Sequence, residues 1–158
     1  MTILTLHKIR LHHPLFSKVS ANSFKYILET TTLQKYKPGQ YLYQKGQPVK
    51  DVVYFIMYGT FFLTNGPRCK FGIMMCAGHT LGEESLLSQQ VERTECCRAN
   101  DHACVLVCGL QPLQNMRVQK HVQGGCSNFL KDYAMMMYVL ESHFVQKEEW
   151  RRDAELKH

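Results

Sequence analysis

The residues best suited to chemistry lie in one segment, Leu81-Gly82-Glu83-Glu84-Ser85-Leu86-Leu87, followed closely by Glu92-Arg93-Thr94. A glycine ahead of a short helix lets backbone N–H groups turn into one small volume, and a helix N-terminus favours an anion there. Arg93 falls on the next predicted strand and can return to that volume; a guanidinium suits a phosphate because its donors form a planar fork. A carboxylate beside a phosphate is unfavourable unless it has another task, and accepting a hydrogen bond from a sugar hydroxyl is such a task. Together these residues describe a pocket for a sugar phosphate of low net charge. Each also has a plainer role. Gly82-Glu83 fits a helix start with a stabilising carboxylate, Arg93 a surface residue paired with Glu92 or Glu95, and Thr94 a strand former.

The elements that must position this segment read as mostly β. Residues 12–33 read as helical, with Asn22-Ser23 as a cap and Phe24, Ile27 and Leu28 at i, i+3, i+4. Turns at Lys37-Pro38-Gly39-Gln40 and Lys45-Gly46-Gln47-Pro48 flank a short strand at Tyr41-Leu42-Tyr43. Val52 to Met57 is a dense run of β-formers, interrupted by Tyr58-Gly59 and resumed from Thr60 to Thr64. Asn65-Gly66 marks a hairpin whose return strand is Lys70 to Cys76. Ala77 to Thr80 reads as a turn, and Arg93–Ala99 and Ala103–Cys108 as two further strands. Closely spaced strands with no long helix between them predict an antiparallel barrel or jelly roll. A short helix is expected over Leu113–Val122, broken at Gly124-Gly125. Beyond it an apolar stripe of Phe129, Tyr133, Met136, Leu140 and Phe144 predicts a helix packed on one face. Residues 146–158 carry charges of both signs and read as a solvated tail.

Composition narrows the function classes. At 158 residues, 45% hydrophobic and 20% charged, the chain is long enough for one domain with a real core. Lys and Arg number 19 against 13 Asp and Glu, and the net charge of +6 favours anionic partners without choosing among them. No apolar run is long enough to span a bilayer, and Met1 to Leu11 lacks the apolar stretch of a secretion signal, so a cytoplasmic location is expected. The seven cysteines show no paired C-x-x-C spacing, and Cys96-Cys97 projects to opposite faces of a strand. They are expected to act as small packing residues in a reducing compartment, with no metal site. No nucleophile and base form a recognisable motif, so an enzyme is not expected.

The Leu81–Leu86 segment, the spacer Leu87–Glu92 and Arg93-Thr94 together resemble the phosphate-binding cassette of the cyclic nucleotide-binding domain family. The spacer and the Glu-Arg-Thr ending resemble the bacterial catabolite activator branch; protein kinase regulatory domains usually carry a Pro before the Arg, where this chain has Glu92. The likeness extends from about His12 to about Met116. His13-Pro14-Leu15-Phe16 resembles the family's helical entry motif, the two Gly turns at 37–47 resemble its turns, Tyr54-Phe55-Ile56 with Gly59 its central strand, and Arg98-Ala99 the end of the strand after the arginine. Glu84 departs from the pattern, standing where an inward apolar residue is usual.

The resemblance implies an antiparallel, jelly-roll-like β-roll with N-terminal helices and C-terminal hinge and lid helices. It implies one domain over residues 1–145, with the roll at about 35–110, the C-terminal helices at about 112–145 and the charged tail after them. Its function would be regulatory: binding cyclic AMP or cyclic GMP through Gly82, Glu83, Glu84, Ser85, Leu86, Arg93 and Thr94, and passing the signal on as the C-terminal helix closes over the base. No other cofactor is implied. A kinase or another effector protein is the implied partner, and the short stretch after Phe144 is too small for a DNA-binding helix-turn-helix. The alternative is a fold that lost its ligand and serves as a protein-interaction module.

Overall fold

The structure, a computed structural model, describes residues 13–66, 72–118 and 126–156. A 3₁₀ turn, Phe16–Lys18, leads into helix α1, Ala21–Thr30. Ser20 caps α1: its hydroxyl accepts from the Ser23 N–H, satisfying a donor that the first helical turn leaves open. Phe24 and Ile27 form its buried face.

Strand β1, Thr31–Tyr36, follows α1 with no loop between them. The helical reading of residues 12–33 is therefore corrected at its end. Consecutive threonines lose rotamer freedom in a helix, and here they pair antiparallel with residues 107 and 108. The remaining strands are β2, Tyr41–Tyr43; β3, Val52–Tyr58; β4, Thr60–Thr64; β5, Gly72–Cys76; β6, Thr80–Leu81; β7, Cys96–Ala99; and β8, Ala103–Gly109. They form two four-stranded antiparallel sheets, in the orders β1-β8-β3-β6 and β2-β7-β4-β5. This is the expected β-roll. Several boundaries differ from the sequence reading: β3 runs on through Tyr58, β8 through Gly109, and the helix expected from Leu113 begins at Leu110. Thr80-Leu81, assigned to a turn and the loop after it, is a short strand on β3, and Arg93-Thr94-Glu95 lies outside β7.

Between β3 and β4 the chain turns at Gly59, whose φ is +81°. A Cβ there would stand 2.5 Å from the Ala103 Cα, so the close approach requires glycine. Two core clusters result. Val53 and Phe55 of β3 face the helices, meeting Phe16, Ile27, Leu113, Phe129 and Leu140. Tyr54 and Ile56, on the opposite face by the two-residue period of a strand, join Phe61, Leu63, Met75, Leu81 and Val105 inside the roll. Cys96, Cys97, Cys104 and Cys108 are buried free thiols, packing as expected, while Cys76 is exposed.

Among the described residues three further helices follow: α2, Glu84–Leu87; α3, Leu110–Val118; and α4, Cys126–Leu156. The expected break at Gly124-Gly125 lies outside the described residues. On α4 the predicted stripe is buried at Phe129, Met136 and Leu140 and half-buried at Tyr133 and Phe144. Residues 146–156, read from sequence as a solvated tail, continue this helix, and Lys147 is 1% exposed. The physical reason is a set of carboxylates on the roll that the sequence pattern alone did not pair with them.

Candidate functional site

The cassette begins where β6 ends. Gly82 has φ +78°, in the left-handed region, and a Cβ there would come to 3.0 Å from the Tyr54 ring. The conformation favours glycine, and the tight contact adds to the cost of any side chain there. Ser85 fastens the loop, its hydroxyl donating to the carbonyls of Gly82 at 2.9 Å and Val52 at 3.2 Å. Leu86 is half-buried against the helical core cluster. Helix α2 is a single turn, so its dipole is small and side chains dominate the electrostatics of the site.

Arg93 approaches from the segment before β7. Its backbone is held on both sides: its N–H donates to the Gln47 carbonyl and its carbonyl accepts from the Gly46 N–H, each at 2.8 Å. Its guanidinium carbon stands 4.3 Å from the centre of the Tyr43 ring, a cation–π contact. Arg93 is 5% exposed, and its Nη1, 3.7 Å from Glu84 Oε2, makes no hydrogen bond among the described residues. Thr94 is exposed. Gly82, Glu83, Glu84, Ser85 and Arg93 thus come together, whereas Thr94 turns outward.

The cassette is occupied by the chain itself. Glu83, fully buried, is ion-paired with Lys147 of α4, whose Nζ also donates to the Thr80 carbonyl at 3.0 Å. One helical turn further on, Arg151 reaches Glu84 at 3.4 Å and is ion-paired with Glu95 and Glu148. Trp150 packs against the inner core cluster, and its ring meets His79 edge-on at 5.7 Å. Burial pushes the Glu83 carboxyl above its usual range despite Lys147 beside it. Burial acts the same way on Glu84, but Lys147, Arg151 and Arg93 outweigh it and hold that carboxyl below its usual range. Arg151, desolvated but hydrogen-bonded to Glu95, is held firmly in its charged form.

Sequence reasoning missed Tyr43, Glu95, Lys147 and Arg151. A signal for the last two was present. Counting from Met136, Leu140, His143, Lys147 and Arg151 fall at +4, +7, +11 and +15, so the apolar stripe continues as a basic one on the same helical face.

No protein-family model matches the sequence, and no curated protein matches it. Solved structures do. A putative cyclic nucleotide-binding protein from Geobacter metallireducens GS-15 aligns with TM-score 0.67 at 14% identity, over 93% of this chain and 98% of that one. The Thermus thermophilus catabolite activator protein aligns with TM-score 0.64 at 17% identity, over 89% of this chain and 62% of that one. A structure described as PKAR CBD2 with Sp-2Cl-cAMPS bound aligns with TM-score 0.56 at 14% identity, over 67% of this chain and 70% of that one. The fold is that of the cyclic nucleotide-binding domain. No helix among the described residues is long and apolar enough to cross a membrane.

Proposed function

We propose that this chain, built on the cyclic nucleotide-binding fold, is a regulatory domain that binds cyclic AMP or cyclic GMP and signals through its C-terminal helix to an effector protein. One observation carries the reading. Arg93 and Glu83 come from separate segments of chain and are both buried at the Gly82 turn, and Arg93 retains a buried Nη1 donor with no hydrogen bond among the described residues. A buried guanidinium with a spare donor suits a phosphate oxygen, and a buried carboxylate suits ribose hydroxyls. Gly82 and Ser85 hold the loop in place, Leu86 anchors it, and Glu84 lies beside Arg93. Thr94, exposed beside this group, is the proposed reader of the purine edge. The role is binding rather than catalysis. The similar structures include a catabolite activator protein, so a DNA-linked output is compatible with the fold; a protein effector is the partner proposed here.

The test is calorimetric titration of the full chain and of Arg93→Ala with both nucleotides. Binding by the full chain and at least tenfold weaker binding by Arg93→Ala is expected. Arg93→Ala binding within threefold of the full chain overturns the assignment.

A second reading, a protein-interaction module without a ligand, is favoured by one observation: Glu83 and Glu84 are already neutralised by Lys147 and Arg151. It predicts no binding of either nucleotide to the full chain or to any variant that frees Glu83.

A further inference from the structure

We infer that the C-terminal third of α4 is a competitor for the cassette rather than a lid over it: Lys147 holds Glu83 in the ligand's absence, and a nucleotide must expel it to bind. The inference rests on the reading of the cassette as a nucleotide site.

Four features support it. First, Lys147 is a buried charge. A lysine deep in a protein is strongly unfavourable unless paired, and its partners are the Glu83 carboxylate and the Thr80 carbonyl. It neutralises Glu83 from the Oε1 side, whereas Glu83 Oε2 makes no hydrogen bond among the described residues. Second, Lys147 and Arg151 are four residues apart on one helical face, so they enter and leave together. Third, Glu84 stands where the family pattern has an apolar residue, and it faces Arg151. Glu95, in the same segment as Arg93, is Arg151's other partner on the roll. The two roll carboxylates beyond Glu83 are therefore explained by what α4 carries. Fourth, Trp150 and His143 seat the same stretch: Trp150 lies against the inner core, and the His143 Nδ1 is 3.1 Å from the Thr80 hydroxyl.

The two arrangements compete at Glu83, because the Lys147 ammonium stands against the carboxylate edge, at Oε1, that a ribose would have to approach. The affinity measured for nucleotide is then reduced by the fraction of molecules whose cassette is open. A lid makes the opposite demand, since it orders the helix when ligand binds.

Two measurements decide the matter. In the full chain, amide exchange across residues 143–156 is followed with and without saturating cyclic AMP or cyclic GMP. Expulsion predicts at least tenfold faster exchange there, together with slower exchange in residues 81–87. Slower or unchanged exchange across 143–156, with the cassette protected, overturns the inference. Calorimetry on Lys147→Met, which leaves Arg151 to neutralise Glu84 and Glu95, is expected to show at least tenfold tighter nucleotide binding. If the full chain binds and Lys147→Met binds no more tightly, the inference fails while the nucleotide reading stands. If neither protein binds either nucleotide, both fail. Should Lys147→Met not fold, the exchange experiment on the unaltered chain decides alone.

Discussion

Asp132 accepts from Ser23 across 109 residues of chain, its Oδ2 lying 2.5 Å from the Ser23 hydroxyl. The same oxygen accepts from the Ser20 hydroxyl at 2.6 Å and the Ser20 N–H at 3.1 Å. One carboxylate oxygen thereby joins the N-cap of α1 to the first third of α4. Asp132→Ala would leave buried donors without an acceptor. It is expected to cost roughly 3 kcal/mol of stability, with Asp132→Asn costing less. Urea unfolding monitored by circular dichroism checks both.

The Glu83–Lys147 pair is expected to be strongly non-additive. Each partner is almost fully buried, so removing one leaves the other charge uncompensated. Glu83→Gln and Lys147→Met should each destabilise by about 3–5 kcal/mol, and the double variant by much less than their sum. Additive losses in a double-mutant cycle would show that the two charges do not interact.

Acid should weaken the fold through two histidines. Burial holds His13 at about 4; burial, followed by the neighbouring His79 and Lys147, holds His143 at about 4 as well. In the unfolded chain both titrate near their ordinary value of about 6.5. Between these limits the unfolded state binds more protons, so stability rises with pH over the window and falls as pH drops from about 6.5 towards 4. The urea midpoint should therefore be lower at pH 5 than at pH 7. His13→Gln and His143→Gln should each flatten that slope; a slope unchanged in both would remove them as its source.

Much of the roll is legible in the sequence because its signals are local. Val52–Met57 alternates between two cores, and Asn65-Gly66 sits where β4 turns towards its partner β5. Strand β1 was not legible: it lies at a sheet edge, its residues are mostly exposed, and no turn separates it from α1. The convergence of Gly82, Glu83 and Arg93 was legible from residue type and spacing, and these residues do come together. The occupancy of the cassette was not, because the pairing of Glu83 with Lys147 spans 64 positions (147 − 83) and charged residues near a C-terminus look the same whether solvated or buried. Arg93 was expected on a strand and instead lies in the segment before β7, where Tyr43 of β2, the strand paired with β7, supplies its ring contact.

Helix α4 is unbroken from its hold on Ser20 and Ser23 to its hold on Glu83. Asp132 and Lys147 are fifteen residues apart, about 22 Å along a helix axis, and Leu156 lies about 36 Å from Asp132. With Asp132 as fulcrum, a tilt of about 10° would swing Lys147 by roughly 4 Å and Leu156 by roughly 6 Å at a rise of 1.5 Å per residue. The smaller swing exceeds the reach of a hydrogen bond. Under the proposed function, a rod pinned in this way would be a lever arm, turning a change of a few ångströms inside the roll into a larger stroke at its far end.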